Sequence, residues 1–409
     1  MRRALVLLFV LLATSMVGVR PSLAQYGDCT QEYVNSFRVP AHGSDPAWDP
    51  GTIRCREFMR VEVETPAGSV TVRVIGDENA EATLPPGGMD AIRRGIERSG
   101  EAMQRLDDFD LDYTTILISR PRSSPTDEQP RYGYSTAWTL PGASRDGYGE
   151  CHVTLFIQTD YTTDETQYAV SHELFHCVQY APGTNIRAQM ATSEALGAWW
   201  VEGTAEWFAA YAIGPQPRFA RGRQFDTAVA AERALYEMNY QMAVFFYWYH
   251  TNHGGPAAMV PFMRAMATSG DAAAQQAAMQ SVLDQDAWLQ FAKDYDDRNI
   301  VYPRGLPVSF GQQPDGDHWN IAESSQHQRE LKPFVMALGW AEYACGLWTQ
   351  IVNEANVQVH TEHSRHWTSF PGELDVRTPG VDRRYRMVAM PSLAGGSTVQ
   401  RLDVETLHR

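Results

Sequence analysis

Hydrophobic and polar positions change period several times along the chain, and each change predicts an element. Alternation at Phe58 to Glu64 and again at Ser69 to Ile75, joined through Pro66, Ala67 and Gly68, predicts a hairpin. The run Pro85, Pro86, Gly87, Gly88 breaks the pattern. From Met89 the apolar residues recur at helical spacing (Ile92, Ile96, Met103, Leu106), with Arg and Glu on the other face. Strands are predicted at Thr114 to Ser119, Tyr132 to Trp138 and His152 to Gln158, the first two separated by a polar loop at 121–130. Thr163 or Asp164 can cap a helix that runs to about Tyr180, and a second helix spans about Ala195 to Tyr211.

The pattern from Phe225 to Tyr295 reads as mostly helical, with an aromatic helix over Thr227 to His250 and two or three shorter ones behind it. The last hundred residues predict a helical stretch at Leu331 to Glu354, then strands at Tyr385 to Met390 and Thr398 to Val404. The fold class expected is α+β. Its parts are a leader over 1–24, a β-rich N-terminal region over 25–88, a central domain of sheet and helices over 89–300, and a C-terminal α/β tail with β-strands over 301–409. No internal repeat is present.

Composition adds exclusions. The chain has 409 residues, 44% hydrophobic and 20% charged, enough for a large core. A net charge of -15 argues against nucleic acid or an anionic membrane as partner, since both need a basic footprint. Arg2 and Arg3, the apolar run from Ala4 to Leu12 and the small residues Ser22 and Ala24 read as an export signal. A periplasmic or extracellular location is therefore expected, without stable insertion into a membrane. Five cysteines in an oxidising compartment suggest disulfides and leave at least one without an intrachain partner; the pairing expected is Cys29 with Cys55 and Cys151 with Cys177, with Cys345 free.

The run from Ser171 to Tyr180 contains His-Glu-x-x-His. On a helix, residues four apart share a face, so His172 and His176 can aim both imidazoles at one ion. Glu173 points about 100 degrees away around the axis. There a carboxylate can take a proton from an attacking water without binding the metal. In the next helix, Glu202 and Glu206 are the carboxylates of an otherwise apolar stretch from Ala198 to Tyr211. Buried charges need partners, and a zinc ion would supply one. Glu202 is the expected third ligand, with Glu206 behind it accepting the second ring N–H of a ligand histidine, His172 being favoured. The exchanged assignment, Glu206 on the metal and Glu202 behind, is also open.

Together the runs from Ser171 to His176 and from Trp199 to Trp207 resemble the gluzincin superfamily of zinc peptidases, which includes thermolysin, the zinc aminopeptidases and the bacterial collagenases. The resemblance implies a zincin-like peptidase domain, a mixed sheet plus active-site helix followed by a helical subdomain. It implies Glu202 as the glutamate ligand in a Glu-Gly-x-Ala pattern, and the strand His152 to Gln158 as the cleft edge that pairs with an extended peptide. In the stretch Asn239 to Gly255, Tyr240 matches the family's tyrosine. Its phenol would donate to the oxyanion; the alternative is a core tyrosine satisfied elsewhere, with Tyr236, His250 and His253 in reserve. Relatives that remove N-terminal residues carry Gly-x-Met-Glu-Asn before the edge strand. This chain has Gly147 to His152 there, with Glu150 alone able to imitate the anchor. An exported zinc endopeptidase acting on peptide or protein is the expectation. An aminopeptidase and a catalytically inactive binding or adhesion protein on the same scaffold are the alternatives. Oligomeric state is not legible.

Overall fold

The computed structural model describes residues 27–28, 54–119, 136–140, 150–181, 198–266 and 272–408, with short breaks inside the longer ranges. The expected leader, Cys29, Cys345 and the polar loop at 121–130 lie outside the described residues.

Six strands form one sheet in the order β1-β2-β3-β4-β6-β5. They are β1 Gly27–Asp28, β2 Arg54–Thr65, β3 Gly68–Asp77, β4 Tyr113–Ser119, β5 Thr136–Leu140 and β6 Glu150–Phe156. β2 and β3 make the expected hairpin, but β3 then pairs in parallel with β4. The N-terminal hairpin and the central strands are one sheet, because a two-stranded ribbon alone cannot bury its apolar face.

Alternation assigns that face. Val61, Val63, Val72, Val74, Ile116, Ile118, Cys151, Val153 and Leu155 are all buried and lie at every second position along their strands. Over them pack α1 (Gly88–Met103) and α2 (Thr163–Tyr180). The two helices meet at Gly95, where an added Cβ would stand 3.0 Å from the Val170 Cβ. Beside that contact the hydroxyls of Ser99 and Ser171 are 2.7 Å apart.

β6 is not an edge. It pairs with β4 on one side, and on the other with β5 through Thr136↔Thr154 to Leu140↔Glu150. The expected cleft edge is thus corrected: among the described residues, β5, antiparallel to its neighbour, is the outer strand. Sequence alternation tells which face of a strand is buried but not which neighbours its backbone meets.

Behind the sheet comes a helical layer: α3 (Ala198–Ala212), α4 (Gly222–Ala230), α5 (Ala243–Asn252), α6 (Met259–Ala265), α7 (Ala272–Val282) and α8 (Gln285–Asp296). The single aromatic helix expected over 227–250 is two helices. Glu232, at φ 52°, ends α4, the Leu235 N–H then donates to the Phe334 carbonyl, and a short 3-10 turn at Tyr240–Met242 precedes α5. Tertiary hydrogen bonding overrides the helical pattern there.

The helix expected over Leu331 to Glu354 is also absent. That stretch holds the end of β8 (Gln326–Leu331), then β9 (Ala337–Tyr343) and β10 (Leu347–Asn353). Its apolar run is short and rich in Trp, Ile and Val, and periodicity alone does not separate a buried strand from a helix there. With β7 (Asp317–Ile321), β11 (Asn356–Thr361), β12 (Thr368–Ser369), β13 (Glu373–Asp375), β14 (Arg384–Met390) and β15 (Gln400–His408), they form two sheets, ordered β13-β10-β15-β8 and β12-β11-β14-β9-β7. The chain is thus mixed α and β, as expected, with the C-terminal region built from strands among the described residues. No helix among them is long and apolar enough to cross a membrane.

Candidate metal centre

α2 starts one residue earlier than expected. Thr162 is the N-cap; its hydroxyl accepts from the Glu165 N–H, and the Glu165 carboxylate accepts from the Thr162 N–H. This reciprocal cap satisfies two otherwise orphaned backbone donors and fixes where the helix begins. A disulfide fixes its other end, joining Cys177 to Cys151 on β6 as expected. The Cys29 to Cys55 pairing falls partly outside the described residues.

Between these anchors His172 and His176 lie one turn apart, both buried. Their Nε2 atoms are 3.1 Å apart. Glu202 Oε2, from α3, is 3.2 Å from His172 Nε2 and 3.6 Å from His176 Nε2. A tetrahedral ion with bonds of about 2.0–2.1 Å spaces its ligand atoms by about 3.3 Å. The triangle has that size, so His172, His176 and Glu202 could together hold one small cation.

The electrostatics agree. Burial opposes charge on His176, but the Glu202 carboxylate outweighs it and the pKa is pushed up to about 9. Against its own burial, Glu202 is held well below the usual carboxylate range by His176 and His172. The potential where the three side chains meet is negative and favours a positive charge.

The imidazole of His176 is oriented by a residue that the sequence reading missed. Gln179 Oε1 lies 2.7 Å from His176 Nδ1. The Gln179 amide nitrogen donates to the Val201 carbonyl and to Thr204 Oγ1, each at 2.7 Å. Because a carbonyl only accepts, the amide must turn its oxygen toward His176. With a cation in the centre, His176 would keep its proton on Nδ1, toward Gln179, and present the Nε2 lone pair to the ion. The only signal available was a glutamine three residues after the second histidine.

Glu206 stands behind His172, its Oε1 3.7 Å from His172 Nδ1. That is beyond hydrogen-bond length, and His172 Nδ1 is a buried ring nitrogen with no hydrogen-bond partner. Glu206 itself is held by two residues the sequence reading did not single out. Arg221 Nη2 donates to Oε1 at 2.5 Å, and the Tyr168 hydroxyl donates to Oε2 at 2.6 Å.

Glu173 is buried, and its Oε2 has no hydrogen-bond partner. Burial raises its pKa above the ordinary carboxylate range, the nearby Glu202 and Glu206 add to that, and the two histidines oppose it. Tyr240 reaches the same place, its ring 5.8 Å from that of His172. It is 36% exposed, whereas nearly every other large apolar side chain in this layer is buried. Burial of the hydroxyl, then the Glu202 and Glu173 carboxylates, keep the phenol protonated above its usual range.

The approach of α3 to the Tyr240 segment depends on Gly203. A Cβ there would meet the Phe246 ring at 2.7 Å and the Met242 Cβ at 3.0 Å. The reserve candidates lie elsewhere: Tyr236 packs edge-on against Phe334, His250 sits in the last turn of α5, and His253 caps that helix.

Glu150 turns away from the centre. Its neighbour Cys151 faces α2 through the disulfide, and successive strand residues point to opposite faces. On the far face, Glu150 Oε1 accepts from Thr115 at 2.8 Å and lies 3.1 Å from His152 Nε2. The imitation of an N-terminal anchor expected of it is not formed.

No family model and no curated protein matches this chain. Among solved structures, a periplasmic inhibitor of g-type lysozyme from Aeromonas hydrophila is 12% identical, over 22% of this chain and 98% of its own, with a TM-score of 0.17. A mutant of the corresponding inhibitor from Escherichia coli is also 12% identical, over 22% of this chain and 99% of its own, with a TM-score of 0.15. Likenesses of that size support no inference about fold or function.

Proposed function

We propose that this chain is an exported zinc metallopeptidase in which His172, His176 and Glu202 hold the ion and Glu173 is the general base. One observation carries the reading. Two imidazole nitrogens and one carboxylate oxygen, from two helices, converge at 3.1, 3.2 and 3.6 Å, with a further carboxylate, Glu173, buried beside them. The order of elements supports a zincin-like domain: strands, a helix bearing both histidines, then a second helix bearing the glutamate. The Cys151–Cys177 disulfide is compatible with export.

A zinc ion held by His172, His176 and Glu202 would supply Lewis-acid polarisation of a scissile carbonyl and acidify water. The rest is done by the chain's own groups. Glu173, whose proton affinity is raised by burial, takes the proton of the attacking water and returns it to the departing amine. Tyr240, which keeps its proton, donates a hydrogen bond to the carbonyl oxygen as negative charge builds there. Gln179 holds His176 in the tautomer that binds a metal. β5, the outer strand beside α2, offers a backbone edge along which an extended substrate can lie.

Endopeptidase action is favoured over removal of N-terminal residues, since Glu150 is engaged on the far face of the sheet. The test is metal analysis of the purified protein, with mass spectrometry of an unstructured peptide library after incubation with wild type and Glu173→Gln. Stoichiometric zinc in both, with cleavage by wild type only, is expected. Zinc without cleavage by wild type would favour a binding protein on this scaffold. Absence of zinc would remove the reading altogether.

A further inference from the structure

Arg221 is the residue to which the periphery of this centre converges. It is the N-cap residue of α4, and its side chain is 14% exposed. One guanidinium nitrogen donates to Glu206 Oε1. The guanidinium carbon lies 5.0 Å from the centre of the Tyr240 ring, within reach of a cation–π contact. Tyr240 in turn lies over His172. Two contacts therefore place Arg221 beside the same imidazole: it holds Glu206, whose Oε1 stands 3.7 Å from His172 Nδ1, and it lies across the Tyr240 ring that packs over His172.

The fold holds Arg221 in place. Asp226, one turn into α4, accepts from the Tyr295 hydroxyl at 2.8 Å, from Arg298 at 2.6 Å and from the Gly311 N–H at 2.6 Å. Gly222 lies so close to the Ser309 carbonyl that a Cβ would stand 2.4 Å from its oxygen. An arginine needed only to neutralise Glu206 would not require this anchoring, and it would not have to lie across a tyrosine.

We infer that Arg221 is a positioning residue for the metal centre, holding the Glu206 carboxylate in place behind His172 and fixing the Tyr240 ring against His172. This rests on the reading of the site as a metal centre. Without the guanidinium, Glu206 keeps the Tyr168 hydroxyl on Oε2 but loses the donor that fixes Oε1, and the Tyr240 ring loses the cation lying across it. Carboxylate and phenol can then turn away from His172, and its imidazole is held less firmly toward the centre.

The experiment measures zinc affinity of the full chain by competition with a chromophoric chelator for wild type, Arg221→Met, Arg221→Lys, Glu206→Gln and the Arg221→Met/Glu206→Gln pair. Absorption spectra of the cobalt-loaded proteins are recorded in parallel. Arg221→Met is expected to weaken zinc binding by about 10- to 100-fold and to shift the cobalt bands. Arg221→Lys, which keeps the charge but not the flat cation, falls between it and wild type. The double variant binds no more weakly than the weaker single, because both act through one carboxylate. Wild-type affinity in Arg221→Met, or losses that multiply in the double variant, overturns the inference while leaving the metal centre standing. If Arg221→Met does not fold, wild-type affinity and an unshifted spectrum in Arg221→Lys overturn it instead. A wild-type protein that takes up no metal removes both readings.

Discussion

Gln179 Oε1 lies 2.7 Å from His176 Nδ1, and the same amide is tied through its nitrogen to Val201 and Thr204 on the neighbouring helix. One side chain thus links the orientation of His176, a proposed metal ligand, to the packing of α3, the helix that carries Glu202. Gln179→Leu keeps the volume and removes both ties. Zinc affinity should fall by about 10- to 100-fold, measured by chelator competition. Unchanged affinity would mean that packing alone holds the ring.

Gly203 should not tolerate a side chain. The Cβ of Gly203→Ala would overlap the ring of Phe246, itself fully buried. Overpacking of this kind costs about 1–3 kcal/mol, to be read from urea unfolding. Because the Tyr240 turn leads into the helix that carries Phe246, kcat should fall beyond the loss attributable to unfolded protein.

The Cys151–Cys177 bridge closes a loop with a sequence separation of 26 residues, and such a constraint stabilises by about 3 kcal/mol. The double Cys151→Ala/Cys177→Ala variant is expected to unfold at a correspondingly lower urea concentration. The bridge is adjacent to His176, so zinc affinity should fall with it. A variant as stable as wild type would assign the bridge no part in holding α2 on the sheet.

His250 gives the protein an acid-side liability that is separate from the metal ligands. Its ring lies 5.7 Å from Trp207 and 5.5 Å from Tyr211, and burial lowers its pKa below the ordinary imidazole value. A depressed folded-state pKa means that the unfolded chain takes up the proton first as pH falls. The contribution to stability is present above the unfolded value of about 6.5 and is lost as pH falls through the folded one. Urea unfolding at pH 7.5 and pH 5 should show a smaller loss for His250→Phe than for wild type. An equal loss in both would exclude His250 as a contributor.

The parts of this protein that its sequence determined alone are those set by local periodicity. Four residues on a helix return to the same face, so the pairing of His172 with His176 and the offset of Glu173 follow from spacing. The burial of Glu206 and the partial burial of Glu202 follow from the tryptophans around them. Alternation likewise placed the hairpin and the β4 and β6 strands. Tertiary structure decided whatever depends on which segments meet. The Phe334 carbonyl accepts from the Leu235 N–H in the break between α4 and α5, β5 covers β6, and the 331–354 run pairs as strands. Arg221, Tyr168 and Gln179 acquire their roles only through helices brought together by the fold. Long-range hydrogen bonds leave no period in the sequence, so the candidate cluster was legible there and the groups packed around it were not.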